Sequence, residues 1–120
     1  LVLGTCRHML IAPDGTIGEY VDEAAGFYLA RSVIDEEELL LFAVASQFRG
    51  RGLGTALLEQ FLSSARAREI KRVFLEMRPS NTAAALYEKF GFPPVGERPS
   101  YYRGSDGRSL DAISYERVLC

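Results

Sequence analysis

The stretch Gln47–Leu58, QFRGRGLGTALL, sets two arginines and three glycines directly before a helix pattern. Leu53, Ala56, Leu57, Gln60, Phe61 and Ala65 recur at helical spacing, so the pattern predicts a helix from Gly52 to about Arg68 with one polar member in its apolar stripe. The run before it, LLLFAVA (Leu39–Ala45), is continuous and apolar and of strand length, which predicts a central strand covered on both faces. The run after it, KRVFLEM (Lys71–Met77), reads as another strand. Strand, helix and strand in that order imply a parallel βαβ unit.

The glycine loop therefore lies between a strand end and a helix start. Unpaired amides and the positive end of the helix dipole point into such a junction. Glycine lets the backbone approach a ligand closely and take positive φ. These features describe an anion or phosphate cradle, and the alternative is a purely structural turn. No Gly-Lys-Ser/Thr closes a P-loop, the spacing is not GxGxxG, and a single RGRG does not make an RGG-type RNA binder.

Working outward, RHMLIAPDGTIGEYV (Arg7–Val21) reads as a strand, a turn at Pro13-Asp14-Gly15 and further strand. AAGFYLARSVI (Ala24–Ile34) is a second β-rich run, followed by Asp35-Glu36-Glu37-Glu38, expected to be a solvated acidic turn with a weaker role in attracting a cationic amine. After Met77, Ser80 or Asn81 is the expected cap of a second helix. Ala83, Leu86, Tyr87 and Phe90 form its stripe, and Gly91 stands at C′. Two strands around Ser105-Asp106-Gly107 close the chain. The order β-β-β-α-β-α-β-β gives a mixed sheet carrying helices, an α/β or α+β domain.

With 120 residues, 48% of them hydrophobic, the chain makes one domain, residues 1–120, with a real core. A net charge of -2 and a pI near 5.4 argue against nucleic acid or a membrane surface as partner. Cys6 and Cys120 lie near opposite ends without metal or CxxC spacing, so the expectation is a reducing cytoplasm and no disulfide. The run Leu39–Ala45 is too short to span a bilayer, no charged-then-apolar leader opens the chain, and a start at Leu1 rather than Met fits trimmed ends. His8, the single histidine, lacks partners for a metal site or a triad and is expected on the surface; no metal is expected.

Arg49-x-x-Gly52-x-Gly54 resembles the Gln/Arg-x-x-Gly-x-Gly/Ala signature of the GCN5-related N-acetyltransferases, the GNAT superfamily. The likeness runs from about Ala25 to Leu119. LEMRPSNTAAALYEKFGF (Leu75–Phe92) is similar to that family's second half. RPSYYRGSDGRSLDAISYE (Arg98–Glu116) resembles the tail of the RimI-type ribosomal-protein-alanine N-acetyltransferases. The resemblance implies a GNAT fold whose loop, Arg49, Gly50, Arg51, Gly52, Leu53, Gly54 and Thr55, binds the pyrophosphate of acetyl-coenzyme A. It further implies that Phe42, Ala43 and Val44 offer backbone groups to the pantetheine arm where their strand splays from its neighbour, and that Asn81 touches the cofactor. The expected activity is direct acetyl transfer to a primary amine, a protein N-terminus such as that of a ribosomal protein, by a monomer or homodimer. Small-molecule amines are the alternative acceptors, and a non-catalytic acyl-coenzyme A sensor is the alternative class. Family members usually begin with a strand and two helices that help wall the acceptor site, so this chain is expected to have a shortened N-terminal part.

Amine acetylation needs a base for the ammonium proton, donors for the oxyanion and an acid for the thiolate. Glu76 interrupts Val73–Met77, shares the face of Phe74 and is expected half-buried, where desolvation raises a carboxyl pKa. The alternative is a strand-end glutamate in water or paired with Arg78. By the resemblance Glu76 is the base. Tyr87 reads from its stripe as a core residue, and by the resemblance as the acid. Asn81 to Tyr87 is one residue shorter than usual in the family, about 100° of helix, which displaces Asn81 rather than Tyr87. Tyr101 and Tyr102 either line the substrate channel or pack.

Overall fold

The computed structural model describes residues 4–77, 83–103 and 109–119, with 97–103 and 109–112 as backbone only. Its strands are β1 (Thr5–Ile11), β2 (Ile17–Gly18), β3 (Gly26–Val33), β4 (Glu36–Val44), β5 (Arg72–Met77), β6 (Pro94–Arg103) and β7 (Ser109–Val118); its helices are α1 (Leu53–Ala67) and α2 (Ala84–Lys89). The strands form one mixed sheet in the order β2-β1-β3-β4-β5-β7-β6. Within it β4 and β5 run parallel, as the strand–helix–strand pattern requires, while the other neighbours run antiparallel.

The periodicity of α1 is realised as expected. Leu53, Leu57, Leu58, Phe61, Leu62 and Ala65 are buried. They share one core with Tyr28 and Ala30 of β3, Leu39 of β4, and Val73, Leu75 and Met77 of β5. Fully burying a large apolar side chain contributes about 1.5–3 kcal/mol, so this one face carries much of the stability. The polar member of the stripe has its own partner: Gln60 Oε1 accepts a 2.7 Å hydrogen bond from the Tyr28 hydroxyl. Burial, with the nearby Glu37 charge second, pushes the Tyr28 phenol up to about 12.

Both helices end in Schellman motifs. In α2 the amides of Gly91 and Phe92 bond to the carbonyls of Glu88 and Tyr87, each at 3.0 Å, and Gly91 has φ 83°. In α1 Glu69 takes that left-handed place with φ 61°, and Ile70 N bonds to Ala65 O at 2.9 Å.

The structure corrects three expectations. Glu36, Glu37 and Glu38 are not a solvated turn: they are the first residues of β4, and only Ile34 and Asp35 turn between the paired Val33 and Glu36. Charge this dense fits a strand because each carboxylate meets an arginine from a different element: Glu38 with Arg31, Glu37 with Arg68, and Glu36 with Arg72. Secondly, β4 is central in the sheet but not covered on both faces, since Leu41 is 53% exposed and Leu40 38%. A bulge between Leu29 and Ala30 on β3 leaves Leu40 as an extra residue on β4, which is why the apolar run lacks alternation. Thirdly, α2 starts at Ala84 with Ala83 at its N-cap position and no side-chain cap. The expected caps Ser80 and Asn81, like Arg78 and the Ser105–Gly107 turn, lie outside the described residues.

Candidate active site

β4 hydrogen-bonds to β5 only through Glu36↔Arg72, Glu37↔Val73 and Glu38↔Phe74. Beyond that short ladder the strands part, and the bulge at Leu40 turns Phe42 and Val44 toward the side of α1. Gly54 sits opposite them: a Cβ there would stand 3.7 Å from Val44 Cγ2 and from Leu86 Cδ2 and 3.9 Å from Phe42 Cε1. Between these elements opens a cleft of about 500 Å³.

The loop at its mouth is built as the glycine pattern predicts. Gly50 and Gly52 have φ of 78° and 79°, and Gly52 is the N-cap of α1, with no side-chain cap. A Cβ at either glycine meets nothing within 4 Å, so the backbone there faces open space. The first intrahelical bond runs from Ala56 N to Gly52 O. Helix geometry thus leaves the amides of Gly52 to Thr55 without an intrahelical acceptor, at the positive end of the α1 dipole. Arg49 ties the loop to the strand by donating from Nε to Val44 O at 3.1 Å. Arg51 stacks on the Phe48 ring at 5.5 Å.

Most of the residues expected at the site converge here. Phe42, Ala43, Val44, Arg49, Gly50, Gly52, Leu53, Gly54, Thr55 and Tyr87 line the one cleft. Arg51 lies outside the lining, its guanidinium being taken by Phe48. Phe48, Ala83 and Leu86 line it too; Phe48 was visible in the quoted stretch and the other two in the α2 stripe, but nothing in their chemistry marked them. Asn81 lies outside the described residues, as do the side chains of Tyr101 and Tyr102, whose backbone belongs to β6.

Tyr87 is buried, with its ring edge-on to Phe42 at 6.0 Å and to Phe92 at 6.1 Å. Its position is fixed twice, because Phe92 both stacks on the ring and closes the Schellman bond to its carbonyl. Glu76 is half-buried on β5, on the face of Arg72 and Phe74, opposite Val73, Leu75 and Met77. It is not part of the cleft lining. It stands two positions past Phe74, the last β5 residue paired with β4, and so borders the gap where the strands have parted.

Comparison with known proteins agrees with this architecture. The sequence model of the Acetyltransferase (GNAT) family matches residues 6–92, and the chain belongs to that family. The [ribosomal protein bS18]-alanine N-acetyltransferase of Escherichia coli K12 is 42% identical over 90 residues, covering 74% of this chain. This chain spans 60% of that relative's length. The crystal structure of the Escherichia coli ribosomal-protein-S18-alanine N-acetyltransferase superposes with a TM-score of 0.74 at 36% identity, over 86% of this chain and 66% of that one. Arabidopsis thaliana NAA60, crystallised with a bisubstrate analogue, gives 0.83 at 16% identity over 96% and 77%, a likeness of fold.

Proposed function

We propose that this chain is an acetyl-coenzyme A-dependent N-acetyltransferase whose acceptor is a primary amine, the N-terminal α-amine of a protein. The observation that carries the reading is the junction of splayed strand and helix: β4 leaves β5 and runs through two left-handed glycines into an uncapped helix start. The residues present fit the cofactor. Gly50 and Gly52 leave open the space that side chains would fill, the amides at Gly52 to Thr55 suit a diphosphate, and Phe42–Val44, paired to β3 but not to β5, bring strand backbone along the cleft for an amide-bearing arm. Bound there, acetyl-coenzyme A supplies an activated acyl group.

The remaining chemistry falls to the chain's own residues. Glu76, across the gap between β4 and β5, takes a proton from the incoming ammonium, so the amine approaches from the face opposite α1. Tyr87 holds its phenol proton at the cleft wall, where a departing thiolate needs one. A ternary complex suffices, because Cys6 lies on β1 and, among the described residues, no thiol lines the cleft. The relatives named for ribosomal-protein alanine support an N-terminal amine over a lysine or a small-molecule amine.

Thiol release measured with N-terminal peptides, lysine peptides and small amines tests the proposal. The expected result is turnover with N-terminal peptides, lost in Glu76→Gln while coenzyme A binding persists. Binding without turnover for every acceptor would replace the enzyme by a non-catalytic acyl-coenzyme A binder.

A further inference from the structure

The closed end of the wedge carries an unusual density of charge, and it lies away from the cleft. On the α1 face Glu37 is wholly buried, and Arg68 Nη2 donates to its Oε2 at 2.8 Å. Arg68 Nε also donates to Ser64 Oγ at 3.2 Å, so the pair fastens the last turn of α1 to β4. On the opposite face Arg72 of β5 pairs with Glu36 of β4 and donates from Nη2 to Glu116 Oε2 of β7 at 3.0 Å. Its guanidinium lies 4.6 Å from the Phe74 ring centroid. At the tip, the amides of Lys71 and Arg72 both reach Asp35 O, at 2.7 and 3.4 Å. Past Glu38 no ladder bond joins β4 to β5.

This placement is mechanically specific. From Glu38 to Phe42 is four residues, about 13 Å of strand at about 3.3 Å per residue, so a tilt of about 5° at the ladder moves Phe42 by about 1 Å. A shift of about 1 Å in a reacting group can lower turnover by about 10²-fold. Glu37 is also a costly way merely to hold a sheet. Its Oε1 has no hydrogen-bond partner among the described residues, and apolar residues commonly stabilise such a buried site better than an ion pair does.

Resting on the acetyl-coenzyme A reading above, we propose that Glu37 with Arg68 on one face, and Arg72 with Glu36 and Glu116 on the other, are positioning residues that set how far β4 stands from β5. They thereby fix where the cleft holds the thioester arm. None of them is among the residues that line the cleft or form the loop at Gly50–Thr55, so their effect is confined to the part of the ligand lying between the strands.

Glu37→Gln and Arg72→Met test this by calorimetric titration with two ligands: coenzyme A, and adenosine 3′,5′-bisphosphate, which has no pantetheine arm. The expected result is about tenfold weaker coenzyme A binding, within the usual range of coupling between separate sites, with affinity for the nucleotide unchanged. Arg72 is partly exposed, so Arg72→Met decides the question if Glu37→Gln does not fold. Equal losses for both ligands, or coenzyme A affinity unchanged in the folded variants, overturn the clamp. A parent chain that bound neither ligand would take down the cofactor reading, and the clamp's role with it.

Discussion

Substituting Gly52 by alanine separates the two tasks assigned to that residue. A left-handed conformation costs an L-residue about 1–2 kcal/mol, and alanine recovers about 0.4–1 kcal/mol by restricting the unfolded chain. At φ 79° with no atom within 4 Å of the added Cβ, the strain is torsional only. The expected net loss is about 0.5–1 kcal/mol, a fall in melting temperature of about 2–5 °C for a domain of this size. Gly50→Ala, at φ 78° and equally open, should fall by the same amount. The ligand sees more: the methyl group projects into the space where backbone must approach phosphate. Holding off one charge-assisted hydrogen bond, about 1.5–3 kcal/mol, weakens binding roughly ten- to hundredfold. Thermal melts followed by circular dichroism, with calorimetric titration of coenzyme A, read both quantities. A small loss of stability with coenzyme A affinity intact would refute the cradle; no loss of stability would refute the left-handed assignment.

Three further outcomes are expected. Glu69→Gly, relieving the non-glycine residue at φ 61° after α1, should raise stability by roughly 0.5–1 kcal/mol, seen as a higher urea midpoint at constant m. The hydrogen bond from Arg72 holds the Glu116 carboxyl below its ordinary value of 4.5. That contribution is therefore complete above pH 4.5 and is lost as pH falls through the folded value, so Arg72→Met should flatten stability against pH in that acid range. The Tyr28 phenol, raised to about 12, stabilises the fold fully below pH 10 and loses its effect between about pH 10 and 12. Tyr28→Phe should remove that alkaline loss, and at neutral pH it should destabilise by about 1–3 kcal/mol by stranding Gln60; an unchanged alkaline melt would exclude Tyr28 as its source.

Much of the fold is legible because local and global signals agree. The apolar spacing of α1, the glycines before it and the strand-length runs on either side each point to a parallel β4–α1–β5 unit, and that unit alone brings Phe42–Val44 beside Arg49–Thr55. Gly91 likewise announces the end of α2. What fails is where a residue's partner is remote. Glu36, Glu37 and Glu38 read as a solvated turn, since only Glu38 has its partner close in sequence, Arg31 seven positions away. Arg68 and Arg72 stand 31 and 36 positions from their partners Glu37 and Glu36. Once those arginines are in place, an acidic run becomes strand, and one of its carboxylates can be wholly buried.

The position of Glu76 shows the same limit at the site itself. Alternation along Val73–Met77 gives its face correctly and gives its half-burial correctly. It also sets Glu76 opposite α1, on the side of β5 away from the cleft lining, which in an unbroken sheet would separate the proposed base from the cleft. Only the parting of β4 from β5 after Glu38, with the bulge at Leu40, joins the two faces. Neither is encoded by a local residue pattern: the bulge depends on the register against Leu29 and Ala30, and the parting on a ladder held at one end by charges from four elements. Under the proposed reading, a variant that restored pairing between β4 and β5 beyond Phe74 would therefore lose thiol release from acetyl-coenzyme A with Glu76, Tyr87 and the glycine loop all unaltered.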